Sequence, residues 1–485
     1  MTSTLLHWIN GAASTSHTGD TFENIGPATG EVLSHVARGN SDDVNRAVQA
    51  AVNAQNGPWG KTTTNERADF LDKIANGLEK RLDELAALES ADTGKPLSLA
   101  KRIDIPRAIA NFRFFAGAVR HEEGSFHPMG TAINYTLRKP VGVVGLITPW
   151  NLPLYLLSWK TAPALAMGNT IVAKPSEMTP STATLLAEVI SEAGVPDGVF
   201  NLVHGFGHET GQALVDHSDV RAISFTGGTN TGSQVARTAA GAFKKLSLEL
   251  GGKNSTIVFA DADPEKAVAG ALRAAFTNQG QVCLCGSRIL VERSLYRKFT
   301  DELAKRASAM VVGDPSAPNT QMGALISRDH RDKVESYVAL AKEEGGTILS
   351  GGKRPELDEA FRDGAFLEPT VVDGLAPTCR TSTEEIFGPV VTVHPFDTED
   401  EAVSIANGVR YGLSASVWTR DLERAHRVAA NLDTGMVWVN TWLLRDLRVP
   451  FGGVKDSGVG REGGKWSLSF FSEAKNICIQ LGDKG

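Results

Sequence analysis

Cysteine is scarce in this chain: Cys283, Cys285, Cys379 and Cys478 are the only four in 485 residues. That is too few for a disulfide framework in a chain of this length. Cys283-Leu-Cys285 has no second pair and no neighbouring histidines, which argues against a zinc site, so no metal is expected. Long apolar runs are missing as well. No stretch of about 18 apolar residues occurs, and the first ten residues lack a basic region followed by an apolar one. No membrane association is expected, and cytoplasmic residence is. A basic excess is also absent, since 49 Lys and Arg stand against 56 Asp and Glu for a net charge of −7. This offers no electrostatic footprint for nucleic acid. Repeats, low-complexity tracts and long linkers are missing too, and small-molecule chemistry is the expectation that remains.

What is present is a long globular chain, 41% hydrophobic and 22% charged, too long for one ordinary core. From Val141 short β-branched runs alternate with helical patterns: 141–148, 152–167, 170–174, 181–193, 199–204, 210–217 and 220–226. This is βαβ punctuation and predicts a parallel sheet with helices on both faces. A second alternation follows Lys253, with strands expected at 255–259, 287–291, 390–395, 415–418 and 435–440. Residues 1–120, with helices expected at 42–54 and 66–88, look like a wrap around the first domain. The fold class is α/β, with two Rossmann-like domains meeting near Glu249 to Lys253.

Three segments carry chemistry. Asn278-Gln-Gly-Gln-Val-Cys283 puts a thiol in a small, glycine-containing turn after the helical run 264–277, the setting of a nucleophile. Leu246-Ser-Leu-Glu249-Leu-Gly-Gly-Lys253 ends an alternating strand in a carboxylate, and Thr148-Pro-Trp-Asn151-Leu-Pro153 ends an apolar strand in an amide. Nucleophile, general base and oxyanion donor are all represented. Each also has a plainer reading: a packed thiol, a surface carboxylate, and a cap for the helix that follows Asn151. Together with Glu384-Glu-Ile-Phe-Gly-Pro389 and Phe451-Gly-Gly-Val-Lys-Asp-Ser-Gly458, the three segments resemble the aldehyde dehydrogenase superfamily, in that family's order along nearly the whole chain. The resemblance implies Cys283 as nucleophile, Glu249 as the base that activates water, and Asn151 as oxyanion donor. It also implies an NAD-binding domain from 1–123 and 142–250, a catalytic domain from 251–450, and a β extension from 124–141 and 466–485. That extension, with strands near 124–137 and 467–480, would serve assembly into a homodimer or homotetramer.

For the cofactor, a literal Gly-x-Gly-x-x-Gly at Gly458-Val-Gly460-Arg-Glu-Gly463 is a decoy, because the preceding Phe451 to Ser457 is turn-rich rather than a strand and no βαβ unit surrounds it. Gly-Gly-Lys253 is followed by Asn254, so it is no phosphate loop either. Phe225-Thr-Gly227-Gly228-Thr-Asn-Thr-Gly232 sits better, after a strand and opening a helix expected at 233–240. By resemblance this turn holds NAD, although Gly228 replaces a serine often found there. The same resemblance assigns Lys174 and Glu177 to the adenosine ribose, where a carboxylate repels a 2′-phosphate and favours NAD over NADP. Glu385 and Phe387 go to the nicotinamide end, and Trp150, Gly207 and Leu250 complete the contacts.

Around Asp104-Ile-Pro-Arg107 and Leu444-Arg445-Asp446, the chain resembles the branch that oxidises 2-aminomuconate and 2-hydroxymuconate 6-semialdehydes, products of aromatic-ring cleavage. An arginine pair suits a carboxylate with an adjacent 2-substituent, because guanidinium grips planar oxygens bidentately. The plainer reading of each is a solvated or salt-bridged side chain. Cys283-Leu-Cys285-Gly-Ser-Arg288 resembles the amino-substrate members somewhat more closely, while neither composition nor pattern separates an amino from a hydroxy substrate. A general or betaine-type aldehyde dehydrogenase stays open as an alternative, as does an inactive structural copy of the fold like the lens crystallins. A CoA-acylating enzyme fits less well because Glu249 is present.

Overall fold

The computed structural model describes residues 3–482; residues 1–2 and 483–485, the outer ends of two of the expected domains, lie outside the described residues. Two sheets dominate. The first has eight strands in the order Gly458–Val459, Lys245–Glu249, Val220–Thr226, Val143–Ile147, Thr170–Lys174, Phe200–Leu202, His7–Ile9, Ala12–Ser14. Its middle is parallel, as expected, and Val143–Ile147 and Thr170–Lys174 are buried along their whole length. This is the continuous apolar reading of a strand covered on both faces. Its edges are antiparallel, so the amino-terminal segment does more than wrap the domain: it extends the sheet.

The second sheet has seven strands in the order Thr347–Ser350, Thr370–Asp373, Val390–Phe396, Arg288–Glu292, Ser255–Val258, Ser414–Trp418, Met436–Val439. The first two were not expected. Thr347–Ser350 is an antiparallel edge strand with a register shift, and four-residue strands give little alternation to read. The two sheets follow each other across Leu250 to Asn254, the junction expected near Glu249 to Lys253.

Several helix limits differ from expectation. The run 66–88 is two helices, Thr64–Lys80 and Leu82–Thr93, because Arg81 leaves helical angles and bonds Glu84 and Glu188. The helix opened by the glycine turn begins at Thr229 rather than Ser233. The stretch 210–217 begins earlier, as a π turn over Gly207–Gly211.

A third sheet joins Ser472–Gln480, Ala132–Pro140 and Phe126–Met129, all antiparallel. Residues 467–470, expected in its strand, instead close the helix Gly464–Phe470. Phe126, Met129, Leu137 and Ile479 are exposed on this sheet. Among the described residues no helix is long and apolar enough to cross a membrane.

Candidate active site

The thiol turn is built from left-handed backbone. Helix Pro264–Phe276 ends, and Asn278 (φ 53°), Gln279 (φ 58°) and Gly280 (φ 70°) follow in succession. Two of the three carry side chains, a strained arrangement of the kind found at functional sites. Their side chains are used to hold it: Gln279 Nε2 donates to Ala324 O (2.8 Å), and Asn278 Nδ2 donates to Asn151 O (3.1 Å). At Gly280 a Cβ would lie 2.3 Å from Gly388 O, so only glycine lets this turn meet the Glu-Glu-Ile-Phe-Gly-Pro loop. Asn254 then clamps the cysteine pair, its Nδ2 donating to Cys283 O (2.7 Å) and Cys285 O (2.9 Å). Cys285 is buried, Cys379 partly so, and Cys478 exposed.

Cys283 opens into a cavity of about 280 Å³ shared with Asn151, Trp150, Leu250, Glu385 and Phe387. Burial pushes its thiol well above the ordinary range, and the Glu249 and Glu385 carboxylates add to the rise. Asn151 does not cap the following helix, whose first flanking residue is Leu152 with no side-chain cap. Its Nδ2 instead donates to Gln281 O (2.9 Å), two residues before the nucleophile. The capping alternative is thereby overturned.

Glu249 ends its strand buried, with Oε1 lacking a hydrogen-bond partner among the described residues, so it is not a surface carboxylate. Burial and then the nearby Glu462 carboxylate raise its pKa well above the usual range. Glu462 accepts from Lys160 Nζ (2.6 Å) and Ser224 Oγ (3.2 Å). The glycine decoy explains itself here: Gly458–Val459 is an antiparallel edge strand, and a Cβ at Gly458 would lie 2.2 Å from Leu248 O.

The cofactor residues fall in two places. Gly227 and Gly228 line the same 280 Å³ cavity as Cys283. A Cβ at Gly232 would lie 2.3 Å from Leu250 and one at Gly227 would lie 2.5 Å from the Phe225 ring. Gly228 stands at the N-cap of Thr229–Ala240 and supplies no side-chain bond, leaving the first-turn N–H groups open to an anion. This glycine-lined, uncapped turn fits a dinucleotide pyrophosphate. Glu385 Oε1 accepts from Gly252 N (2.8 Å), and Phe387, at φ 61°, meets the Trp150 ring edge-on at 5.3 Å. Lys174 Nζ and Glu177 Oε2 pair at 2.8 Å at the strand end. Glu177 lines a separate opening of about 570 Å³ with Phe206, next to Gly207.

Arg107 and Arg445 converge. The Arg107 guanidinium lies over the Tyr155 and Trp159 rings (5.4 and 5.6 Å), and that of Arg445 lies over Trp159 and Phe451 (4.7 and 3.8 Å). Arg445 Nη1 donates to the Tyr155 hydroxyl (3.1 Å) and Arg107 Nε to Asn111 Oδ1 (3.2 Å). Among the described residues Arg107 Nη2 and Arg445 Nε and Nη2 are buried without hydrogen-bond partners, and neither arginine forms a salt bridge, although both residues are partly exposed. The charge of Arg445 reaches both Cys283 and Glu249.

The sequence did not single out His330 and Lys333, which also line the catalytic cavity. His330 packs on Trp150 and bonds Phe387 O through Nε2 (2.7 Å), while burial lowers its pKa to about 4 and keeps it neutral. Nor did it single out the Lys160–Glu462 pair, Asn254 or Tyr155. Lys160, Trp159 and Tyr155 share the apolar helix Pro153–Ala166, where an isolated lysine is the one visible signal.

The whole chain is similar to known proteins. The aldehyde dehydrogenase family model covers residues 14–477. A 2-hydroxymuconic semialdehyde dehydrogenase from Pseudomonas sp. (strain CF600) is 50% identical, over 98% of this chain and 99% of its own. A 2-aminomuconic 6-semialdehyde dehydrogenase from Pseudomonas sp. is 52% identical, over 95% of each. The NAD+ complex of aldehyde dehydrogenase from Bacillus cereus superposes with a TM-score of 0.97 at 41% identity, covering 99% of this chain and 97% of that one. The chain belongs to the aldehyde dehydrogenase family.

Proposed function

We propose that this protein oxidises 2-hydroxymuconate or 2-aminomuconate 6-semialdehyde to the dicarboxylic acid with NAD, in the breakdown of aromatic rings. The observation that carries the substrate reading is the pair of guanidinium groups packed against Trp159, three of whose nitrogens are buried without hydrogen-bond partners among the described residues. Buried donors left unbonded are costly unless a ligand supplies the acceptor, and a carboxylate with a neighbouring 2-substituent supplies it. The names of the two Pseudomonas relatives agree. The same cations disfavour the quaternary ammonium of betaine aldehyde.

Hydride cannot leave an aldehyde carbon until that carbon is tetrahedral, so Cys283 first loses its proton to water and the thiolate Sγ adds. The resulting oxyanion takes hydrogen bonds from the Asn151 amide and the Cys283 backbone N–H, each such donor typically worth about 3 kcal/mol. NAD, when bound, brings a cationic ring that favours the thiolate and accepts the hydride. The Gly227–Gly232 turn, Leu250, Lys174, Glu177, Gly207, Trp150, Glu385 and Phe387 hold it, and the Glu177 carboxylate repels the 2′-phosphate of NADP. Cys283 is left as a thioester. Glu249 then takes a proton from water, which attacks the thioester and releases the acid.

In this reading residues 1–123 and 142–250 bind the cofactor and 251–450 carry the nucleophile. The segments 124–141 and 466–485, which include the three-stranded sheet, pair subunits in a homodimer or homotetramer, covering the exposed Phe126 and Met129. A cytoplasmic setting keeps the nucleophile reduced. The test is NADH absorbance with NAD and with NADP over 2-hydroxymuconate 6-semialdehyde, 2-aminomuconate 6-semialdehyde, betaine aldehyde and an aliphatic aldehyde. A preference for betaine aldehyde or the aliphatic aldehyde overturns the substrate reading, and no turnover of any of them overturns the enzyme reading.

A further inference from the structure

The oxyanion donor is supported by a charge that the chemistry above does not use. Lys95 is wholly buried, just past Gly94, the left-handed residue (φ 72°) that ends helix Leu82–Thr93. Its own carbonyl is tied down by Ser90 Oγ (2.7 Å), so its backbone is fixed. Its Nζ donates to Asp104 Oδ2 (2.5 Å) and to Asn151 O (3.0 Å), with Glu89 Oε1 standing 4.0 Å away. The Asn151 carbonyl lies outside the following helix, whose first carbonyl acceptor is Leu152 O. It is satisfied instead by two side chains: Lys95 and Asn278, the latter from the turn that presents Cys283.

We infer that Lys95 is a positioning residue for the oxyanion donor: its ammonium, held by Asp104, fixes the Asn151 peptide and ties it to the helix that carries Arg107. Two further facts point the same way. Asp104 closes a π turn, Ala100–Asp104, that runs directly into helix Ile105–Arg120. Such turns occur as local insertions at functional sites, and this one places the inward Asp104 one turn before Arg107. A buried ion pair is by itself weak evidence for stability. The second bond, to the backbone of a residue whose side chain must meet the oxyanion, gives this pair a task. The Asn151 side chain and the Arg107 side chain, which would grip opposite ends of one substrate, are thus referenced to a single buried cation.

The inference rests on Asn151 being the oxyanion donor, and the experiment separates the two claims. First-turnover NADH formation is followed by rapid mixing of the full-length enzyme, NAD and 2-hydroxymuconate 6-semialdehyde, for the parent, Lys95→Met, Asn151→Ala and the double variant. Displacement of a reacting group by about 1 Å can slow a reaction by about a hundredfold, so Lys95→Met should slow the first turnover by about tenfold to a hundredfold. In the Asn151→Ala background the same change should slow it by less than about twofold, because the group being positioned is gone. Melting temperature should fall equally in both backgrounds. If Asn151→Ala alone leaves the first turnover unchanged, the oxyanion assignment falls and the inference with it. If Asn151→Ala is slow but Lys95→Met costs the same factor in both backgrounds, Lys95 is structural and only the inference falls. Should Lys95→Met fail to fold, Asp104→Asn preserves volume and must show the same non-additive loss at smaller size. An additive loss there overturns the inference.

Discussion

Removing either buried guanidinium should weaken oxidation of a carboxylated semialdehyde without destabilising the protein. Methionine is the informative replacement at Arg107 and Arg445, since it keeps much of the stem that packs against Tyr155, Trp159 and Phe451 while deleting every donor. Arg445 has two nitrogens without partners and Arg107 one. A hydrogen bond to a charged group contributes about 1.5 to 3 kcal/mol, and about 1.4 kcal/mol is tenfold. Each single variant should therefore lose about tenfold to a hundredfold or more in kcat/KM for 2-hydroxymuconate 6-semialdehyde. An aliphatic aldehyde, having no carboxylate, should lose less than about threefold. The stability side has the opposite sign. Ring stacking of about 0.5 to 2 kcal/mol per contact is lost, but so is the cost of buried guanidinium nitrogens that make no hydrogen bond among the described residues. The melting temperature should stay level or rise. Steady-state kinetics on both substrates and a thermal melt decide the matter together. If both substrates slow equally and the melt drops, the arginines are stacking posts for the aromatic wall, and the proposed substrate has lost its support.

Three further outcomes are expected. Cys283→Ser should fold normally and lose nearly all turnover, whereas Glu249→Gln should keep a first burst of NADH and slow the steady rate; equal loss in both phases would assign Glu249 another role. Gly228→Ser should tighten NAD binding by calorimetry with the melt unchanged, because a Cβ there meets nothing within 4 Å and the serine hydroxyl can donate to phosphate; weaker binding would move the pyrophosphate elsewhere. Because the Glu462 carboxylate is one cause of the raised Glu249 pKa, Glu462→Gln should lower that pKa. The rise of the steady rate with pH, which follows deprotonation of the base, should then move to lower pH; a fixed profile would show that Glu249 does not set it.

What was legible in the sequence was what repeats along the chain or is spelled by neighbours. The β-branched runs from Val141 to Thr226 form buried parallel strands because both faces are covered, so they read as continuous apolar segments without needing their partners. The Asn278 to Cys283 turn was legible as a turn through its small polar residues and Gly280. Its three left-handed residues were not, since asparagine and glutamine adopt that geometry only because Asn151 and Ala324 offer carbonyls from distant segments. Partnerships across the chain were equally hidden. Glu462 lies in a string of glycines that mimics a nucleotide motif, and its meaning comes from Lys160 on a helix some three hundred residues earlier. Lys95, in an ordinary Gly-Lys-Pro, reads as a surface loop until Asp104 and Asn151 are seen around it. A charged residue in an otherwise apolar or turn-like context is ambiguous in one dimension, because burial and solvation are decided by what folds against it. The groups that do chemistry were legible as side-chain types in order, while the groups that aim them are ordinary lysines, asparagines and carboxylates whose function is defined by their contacts alone.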